Sequence, residues 1–297
     1  MKILVLGGAG MLGHKIYQTL FEGGKDVTCT LHGSKNQQHH QGFPLLQSPR
    51  VIEDVDAMQF LDLCATLVEV RPDVIVNCIG IIKQRGSAKA AIPSITVNSL
   101  LPHKLAEWSQ DWGGRVIHFS TDCVFSGKRG AYTENDFSDA EDLYGKSKFL
   151  GEVQAPNALT LRTSIVGREL SQYQSLLEWF LHQEGKAVSG YTQAIYSGVT
   201  TNYLANVVSW IIDDHPDLSG LYQVASSPIS KYELLSKFKS AYKLDVDIEP
   251  MVGEICDRSM LSDKFHAATG YVCPTWDELI EQVVSDATIY ASGSPTR

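Results

Sequence analysis

The sequence lacks an excess of basic residues and any long apolar run. Its 25 lysines and arginines are outnumbered by 34 aspartates and glutamates, so the formal net charge is -9. Nucleic acids and anionic membranes bind basic surfaces, so this charge argues against both partners. No stretch approaches the roughly 18 apolar residues of a membrane-spanning helix, and the opening "MKILVLGG" is too short for a signal peptide. We therefore expect a cytoplasmic protein that acts on a small molecule.

Paired cysteines and metal-binding patterns are also missing. The 6 cysteines include no CxxC pair, which predicts reduced, structural thiols. His39 and His40 are neighbours in the polar segment 32–50, with no acidic or cysteine pattern beside them. We interpret them as ordinary loop residues and expect no metal. The sequence does not decide between a monomer and a homodimer.

Short β-branched segments alternate with longer amphipathic ones through the first 162 residues. The predicted strands are "KILVL", "DVTCTL", "VIEDV", "DVIVNCIG", "RVIHFS" and "LTLR". Strands separated by helical crossovers indicate an α/β fold with a parallel, doubly wound sheet of the Rossmann type. We predict a dinucleotide-binding domain over 1–162, to which part of 187–225 returns. A smaller, mostly helical C-terminal substrate-binding domain is predicted over 163–186 and 226–285, and a loose tail over 286–297.

The segment "GGAGMLG" follows the first strand and opens a helix. Its glycines at positions 7, 10 and 13 permit a tight turn, close approach of backbone N–H groups to a pyrophosphate, and close packing of the helix on the strand. A purely structural turn is the alternative. We predict that this segment binds a dinucleotide through Gly7, Gly10, Met11, Leu12 and Gly13.

The end of the second strand, "TLHGSK", contains no acidic residue. An acid at this place normally hydrogen-bonds the adenosine ribose 2′-hydroxyl of NAD and repels the 2′-phosphate of NADP. His32, Ser34 and Lys35 offer partners for a phosphate instead, so we favour NADP(H), with NAD(H) as the alternative. Asp54 and Val55, after the third strand, are predicted to lie beside the adenine.

Two further motifs are candidates for catalysis. In "YGKSKFLGE", Tyr144 and Lys148 are four residues apart and so share one face of a predicted helix. The segment "FSTDCVFSG" places Ser120, Thr121 and Asp122 at the carboxyl end of a parallel strand, where open α/β sheets bind their ligands. The spacing alone is weak, since chance also produces such pairs.

Together these motifs resemble the extended short-chain dehydrogenase/reductase family. The likeness also includes "NCIG" at 77–80 and "VNS" with Asn98, and "LRTSIVG" and "DRSMLSDKF" extend it to the dTDP-4-dehydrorhamnose reductase-like branch. The resemblance implies further cofactor-binding residues at Cys78, Ile79, Gly80, Asn98, Ser120, Tyr144, Lys148 and Thr163. It implies substrate-binding residues at Thr121, Asp122, Cys123 and Arg258, with Arg168 and Lys264 as weaker candidates.

The resemblance implies a function as an NADP(H)-dependent reductase of a 4-keto-6-deoxy sugar nucleotide. Thr121 would hydrogen-bond the substrate, Tyr144 would donate a proton, and Lys148 would bind the nicotinamide ribose. Cys123 departs from the family pattern, since the rhamnose-forming enzymes have a tyrosine there, and it also replaces the second acid of related dehydratases. An epimerase with tightly bound NAD and a non-catalytic, NADP-binding regulatory subunit remain as alternatives.

Electrostatics supports the catalytic role of Tyr144 and Lys148. A tyrosine with a pKa of about 10 needs a downward shift of roughly 3 units to titrate near neutral pH, which is about 4 kcal/mol. An ammonium charge about 4 Å away supplies about that much at an effective dielectric constant of about 20. We therefore expect Lys148 to lower the pKa of Tyr144.

Overall fold

The secondary structure comes from a computed structural model that describes residues 1–37, 40, 42–82, 90–171, 173–288 and 290. His39 and most of the predicted tail lie outside these residues. No helix within the described ranges has the length and apolar character needed to cross a bilayer. The strands are β1 (Lys2–Leu6), β2 (Asp26–Thr30), β3 (Val51–Ile52), β4 (Val74–Asn77), β5 (Arg115–Thr121), β6 (Ala158–Thr163), β7 (Ile165–Val166), β8 (Ala187–Tyr191), β9 (Ala194–Tyr196), β10 (Val199–Thr200), β11 (Gly220–Gln223), β12 (Ile229–Ser230), β13 (Asp247–Met251) and β14 (Cys256–Asp257).

The helices alternate with the strands in the first half of the chain. They are α1 (Gly13–Glu22), α2 (Phe60–Val70), α3 (Ala91–Ser94), α4 (Leu101–Gln110), α5 (Leu143–Leu150), α6 (Leu176–Leu181), α7 (Thr201–Asp214), α8 (Lys231–Tyr242), α9 (Asp263–Thr269) and α10 (Trp276–Val284). A π-helical segment, Ile95–Leu100, joins α3 to α4 without a break. Short π-helical insertions of this kind are frequent at functional sites.

A seven-stranded sheet in the order β3-β2-β1-β4-β5-β6-β11 forms the centre of the fold. Every neighbouring pair in it is parallel. This confirms the doubly wound fold predicted from the alternating pattern. The strand order reverses between β1 and β4, the topological switch point at which such sheets bind their ligands. The added edge strand, β11, lies in the segment 187–225.

Both faces of the sheet are covered by apolar packing, as the continuous hydrophobic strands require. Because side chains alternate across a strand, Ile3 and Val5 of β1 pack with α1 and α7, and Leu4 and Leu6 pack with α2 and α4. All four side chains are fully buried. The sheet is therefore a rigid platform, and the ends of its strands hold the loops of the site.

The C-terminal region contains more strand than the sequence suggests. Strand β8 pairs with β13, and β9 lies between β12 and β14. Three of these strands, β9, β12 and β14, have only two or three residues, which is too short for a clear alternating pattern. They pack with α6, α8 and α10 around a third apolar cluster that includes Phe180, Phe238 and Leu279.

The segment after α10 begins with ordered contacts, although the sequence suggests a loose tail from residue 286. The Lys15 ammonium on α1 lies 2.7 Å from an Asp286 carboxylate oxygen, and both side chains are buried. The Thr288 hydroxyl also contacts Lys15, and the Tyr290 hydroxyl lies 3.1 Å from Nε2 of His14. The sequence pattern misses this packing because the partner residues are far away in the chain.

Candidate active site

The glycine-rich loop after β1 has the shape of a phosphate cradle. Gly7 adopts a φ of 81°, a conformation that favours glycine. A Cβ atom at Gly13 would collide with the Gly7 carbonyl oxygen, so only glycine lets α1 approach β1 this closely. Leu12 precedes α1 and has no polar group to cap its first turn. The loop and the start of α1 therefore fit an anionic pyrophosphate.

A cavity of about 400 Å³ opens at the carboxyl ends of β1, β4 and β5. The structure brings most of the predicted site residues to its wall. These are Gly10, Met11, Leu12, Cys78, Ile79, Gly80, Ser120, Thr121, Asp122, Cys123, Tyr144, Lys148 and Thr163. Residues more than 150 positions apart in the chain thus surround one space.

Helix α5 places Tyr144 and Lys148 one turn apart on this wall. The N-cap of the helix is Asp142, whose side chain accepts a hydrogen bond from the Gly145 N–H at 2.8 Å, as expected at this position. The buried Lys148 ammonium donates to the Phe119 carbonyl oxygen of β5 at 2.6 Å. Burial lowers the pKa of Lys148 to about 8. The lysine is therefore fixed between the helix and the strand.

The expectation that Lys148 lowers the pKa of Tyr144 is wrong for this structure. Burial raises the pKa of Tyr144 above its ordinary value, and the Cys123 thiol adds to this, whereas a hydrogen bond with Thr121 acts in the opposite direction. Lys148 is bonded to the Phe119 carbonyl oxygen instead. Tyr144 is consequently protonated at neutral pH, the form that donates a proton.

Strand β5 ends in Thr121 and continues into a single 3-10 turn, Asp122–Val124. The Thr121 hydroxyl lies 3.1 Å from an Asp122 carboxylate oxygen and accepts from the Cys123 N–H at 3.2 Å. Burial raises the pKa of Asp122, and the Arg258 guanidinium opposes this. Burial likewise raises the pKa of the Cys123 thiol to about 12. The turn therefore presents a neutral thiol and a hydroxyl beside the Tyr144 phenol.

Arg258 is the predicted substrate cation that lies nearest to this turn. Its Nε atom donates to the Phe125 carbonyl oxygen at 2.8 Å, and its charge acts on Asp122 and Cys123. The two weaker candidates are engaged elsewhere. Arg168 is paired with the buried Glu178 at 2.6 Å, and Lys264 donates to the Leu221 carbonyl oxygen at 2.7 Å.

The hydroxyl of Ser120 points into a buried ion pair behind the cavity. It donates to Glu152 at 2.6 Å, and Arg162 binds the same carboxylate with two hydrogen bonds of 2.8 and 2.7 Å. The Arg162 guanidinium also stacks over the Phe125 ring at 4.9 Å. Ser120 thus joins the end of β5 to β6 and supports the wall of the site.

Asn98 lies in the π-helical segment, behind the wall of the cavity. Its side chain pairs with the backbone of Ile81 in both directions, at 2.9 and 3.0 Å. It also donates to the Ser147 hydroxyl at 3.2 Å. Asn98 therefore positions backbone near the site, because it ties the loop after β4 to α5.

The adenosine end of the predicted site looks different from the sequence expectation. The His32 side chain is 85% exposed, while Ser34 and Lys35 are bonded to Glu53, an acid that follows β3. Asp54 is exposed, and Val55 packs into the core. An acid is therefore present beside the end of β2, although it comes from another strand.

Sequence reasoning missed the residues on the opposite wall, which follow β7. Glu169, Ser171, Gln174 and Ser175 line the cavity there. Glu169 is buried and accepts backbone N–H bonds from Gln174 and Ser175 at 3.1 and 2.9 Å. Burial raises its pKa. The charged "GRE" after a short strand was the available signal, but only the fold shows that it faces the cavity.

Known proteins are similar to this chain in sequence. The chain is 31% identical over 171 residues to the probable low-salt glycan biosynthesis reductase Agl14 of Haloferax volcanii, a match that covers 56% of this chain and 54% of that protein. It is 25% identical over 258 residues to methionine adenosyltransferase 2 subunit beta of Danio rerio, covering 82% and 74%. The chain spans about half the length of the first of these relatives.

Solved structures share the whole fold. The dTDP-4-dehydrorhamnose reductase from Bacillus anthracis str. Ames, in complex with NADP, superimposes with a TM-score of 0.78 at 21% identity, over 95% of this chain and 99% of that one. The family profile described as the RmlD substrate binding domain matches residues 1–289. Since this match spans nearly the entire chain, the protein belongs to the RmlD substrate binding domain family.

Proposed function

We propose that the protein is a nicotinamide-dependent reductase that converts a 4-keto-6-deoxy sugar nucleotide into the corresponding 6-deoxy sugar nucleotide. The observation that carries this proposal is the convergence of Thr121, Tyr144 and Lys148 on one cavity beside the glycine-rich loop. A protein that merely binds a dinucleotide does not require these three side chains together.

The residues present fit a nicotinamide dinucleotide. The cradle formed by Gly7 and Gly13 and the start of α1 would hold the pyrophosphate. The backbone after β4, from Cys78 to Gly80, lines the cavity between this cradle and Tyr144. When bound in its reduced form, the cofactor supplies a hydride. We favour NADP(H) as the cofactor, as in the Bacillus anthracis structure.

Tyr144 has the properties of the proton donor. Its phenol lines the cavity and starts the reaction protonated, so it can donate a proton to the oxygen that develops negative charge as a ketone is reduced. The Thr121 hydroxyl shares the same space and can hold that oxygen. The ketone carbon gains a hydride and its oxygen gains the tyrosine proton, which yields an alcohol.

Lys148 is held at a fixed place in the cavity wall by its contact with β5. Its bond to the Phe119 carbonyl oxygen fixes the ammonium group beside the cavity, where it would contact the nicotinamide ribose. With a pKa of about 8, most of it is charged at neutral pH. After turnover the Tyr144 phenolate takes up a proton from solvent.

Polar and charged groups near Tyr144 support a sugar nucleotide as the substrate. Arg258 can bind one anionic group of a nucleotide diphosphate, and the polar wall with Ser171, Gln174 and Ser175 offers hydrogen bonds to a sugar. Cys123 is smaller than the tyrosine of the rhamnose-forming enzymes, which leaves room beside the sugar. We propose a role in the synthesis of a cell-surface polysaccharide precursor, which the glycan biosynthesis named for the Haloferax volcanii relative supports.

The direct test is a spectrophotometric assay. Purified protein is mixed with NADPH and, in turn, with several nucleotide-linked 4-keto-6-deoxy sugars, and the absorbance of the reduced nicotinamide is followed. We expect oxidation with one of these sugars, and a loss of about 10²- to 10⁴-fold in Tyr144→Phe, the usual size of a general-acid contribution. Tyr232→Phe, on the outer helix α8, is the matched control and should retain full activity.

Two results would contradict the proposal. NADPH binding without oxidation in the presence of any sugar would favour a non-catalytic regulatory subunit; the Danio rerio relative is named as a subunit beta. Conversion of a sugar nucleotide with no net change in the nicotinamide, by protein that purifies with NAD(H) bound, would favour an epimerase.

A further inference from the structure

Three hydrogen-bond donors converge on the carboxylate of Glu53. One of its oxygens accepts from the Ser34 hydroxyl at 2.8 Å and from the Lys35 backbone N–H at 2.7 Å. The other oxygen lies 3.5 Å from the Lys35 ammonium. A hydroxyl, a backbone N–H and an ammonium are the donors that bind a phosphate group in proteins. Here a carboxylate of the protein itself occupies them.

This cluster lies where the adenosine ribose of a dinucleotide would lie. Ser34 and Lys35 follow β2, and Thr30 at the end of β2 bonds the glycine-rich loop through the Gly7 and Gly8 N–H groups. In a sheet of this order the ribose 2′-position lies next to that strand end. The donors held by Glu53 are therefore the ones that the sequence assigns to a 2′-phosphate.

The backbone holds Glu53 in this position. Asp54 adopts a φ of 57°, an uncommon conformation for a residue other than glycine. It turns the chain back so that the Val55 N–H donates to the Leu31 carbonyl oxygen at 2.9 Å. Val55 is only 6% exposed. Glu53 therefore stands on a fixed turn, with its side chain bonded to the loop after β2.

We propose that Glu53 sets the balance between the two nicotinamide dinucleotides. Its carboxylate can accept a hydrogen bond from a ribose 2′-hydroxyl, whereas a 2′-phosphate must compete with it for Ser34 and Lys35 and is repelled by its charge. The protein therefore uses NADH as well as NADPH, and its preference for the phosphorylated form is weaker than Ser34 and Lys35 alone would give. This inference rests on the proposed function, since it assigns the cofactor of the same site.

The experiment compares dissociation constants of NADPH and NADH for the full chain, measured by the fluorescence of the reduced nicotinamide. Wild-type protein should bind both, with constants within about tenfold of each other. Glu53→Gln keeps the shape of the side chain and removes its charge. In this variant we expect the preference for NADPH over NADH to rise at least tenfold. Lys35→Met should change it in the opposite direction, because it removes a phosphate partner.

The matched control is Glu107→Gln, which removes the same charge from an exposed position on α4 and should leave the preference unchanged. An unchanged ratio in Glu53→Gln, or an equal shift in the control, would overturn the assignment of Glu53 alone. If wild-type protein bound neither dinucleotide, the proposed function would fail together with this inference.

Discussion

The Lys148 ammonium on α5 is hydrogen-bonded to the Phe119 carbonyl oxygen on β5, at 2.6 Å. This bond joins the helix that carries Tyr144 to the strand that ends in Thr121. It also keeps a positive charge buried, since the Lys148 side chain is 6% exposed. The contact that positions the catalytic residues therefore requires a buried ammonium group. Burying this charge lowers the free energy of unfolding by an amount that depends on pH.

The first prediction concerns the pH dependence of stability. Burial lowers the pKa of Lys148 from 10.5 to about 8, so between pH 8 and pH 10.5 the unfolded chain binds more protons than the folded one. Stability from this group therefore rises with pH over this interval. From pH 7 to pH 9.5 the free energy of unfolding of wild type should increase by about 2 kcal/mol relative to Lys148→Met, as measured by urea denaturation.

The control for this prediction is Lys146→Met, on the exposed face of the same helix. The difference in the free energy of unfolding between Lys146→Met and wild type should be the same at pH 7 and at pH 9.5. A pH-independent difference for Lys148→Met would show that the buried ammonium has an ordinary pKa, and the electrostatic account of Lys148 would have to be given up.

A second prediction concerns the ion pair between Glu152 and Arg162. Both side chains are almost fully buried, and Glu152→Gln would leave the Arg162 charge without its partner. Removing one member of a buried pair costs about 3–5 kcal/mol, so we expect a loss of this size in urea denaturation. The exposed pair of Lys128 and Glu141 is the comparison, because Glu141→Gln should cost at most about 1 kcal/mol. Equal losses of unfolding free energy in Glu152→Gln and Glu141→Gln would show that burial does not determine the cost of breaking the ion pair.

Local patterns in the sequence were sufficient to predict the sheet and the catalytic helix. The glycine spacing at 7–13 and the pair of Tyr144 and Lys148 depend on contacts within one or two turns, and the structure places both motifs on the cavity. Most strands of the central sheet are recognisable because they are short segments rich in β-branched and apolar residues, such as β1 and β4. These features are local, so a single sequence contains them.

Features that depend on distant contacts could not be predicted in this way. Glu53 is bonded to Ser34, 19 residues away, and no pattern at the end of β2 indicates it. Glu152 follows α5 and Arg162 lies on β6, so their ion pair forms only once the end of the helix packs against the sheet. The raised pKa of Tyr144 likewise depends on burial, which the spacing of Tyr144 and Lys148 does not reveal.

A third prediction tests the phosphate cradle. A Cβ atom at Gly13 would collide with the Gly7 carbonyl oxygen, so Gly13→Ala should push α1 away from the loop and weaken NADPH binding by at least tenfold. Gly42→Ala is the control, since its Cβ atom would meet no other atom within 4 Å. Binding is measured by nicotinamide fluorescence, and circular dichroism checks the fold. Unchanged affinity in a folded Gly13→Ala variant would place the dinucleotide elsewhere.

The last prediction separates substrate binding from cofactor binding at Arg258. Its guanidinium lies beside Asp122 and is positioned by the Phe125 carbonyl oxygen, so Arg258→Met should remove a charged hydrogen bond to the nucleotide diphosphate. A loss of about 1.5–3 kcal/mol corresponds to a KM for the sugar nucleotide that is higher by roughly 10- to 150-fold, with an unchanged dissociation constant for NADPH. Arg50→Met, in an exposed pair with Asp26, should alter neither value. A KM that stays at the wild-type level would exclude Arg258 from the substrate site.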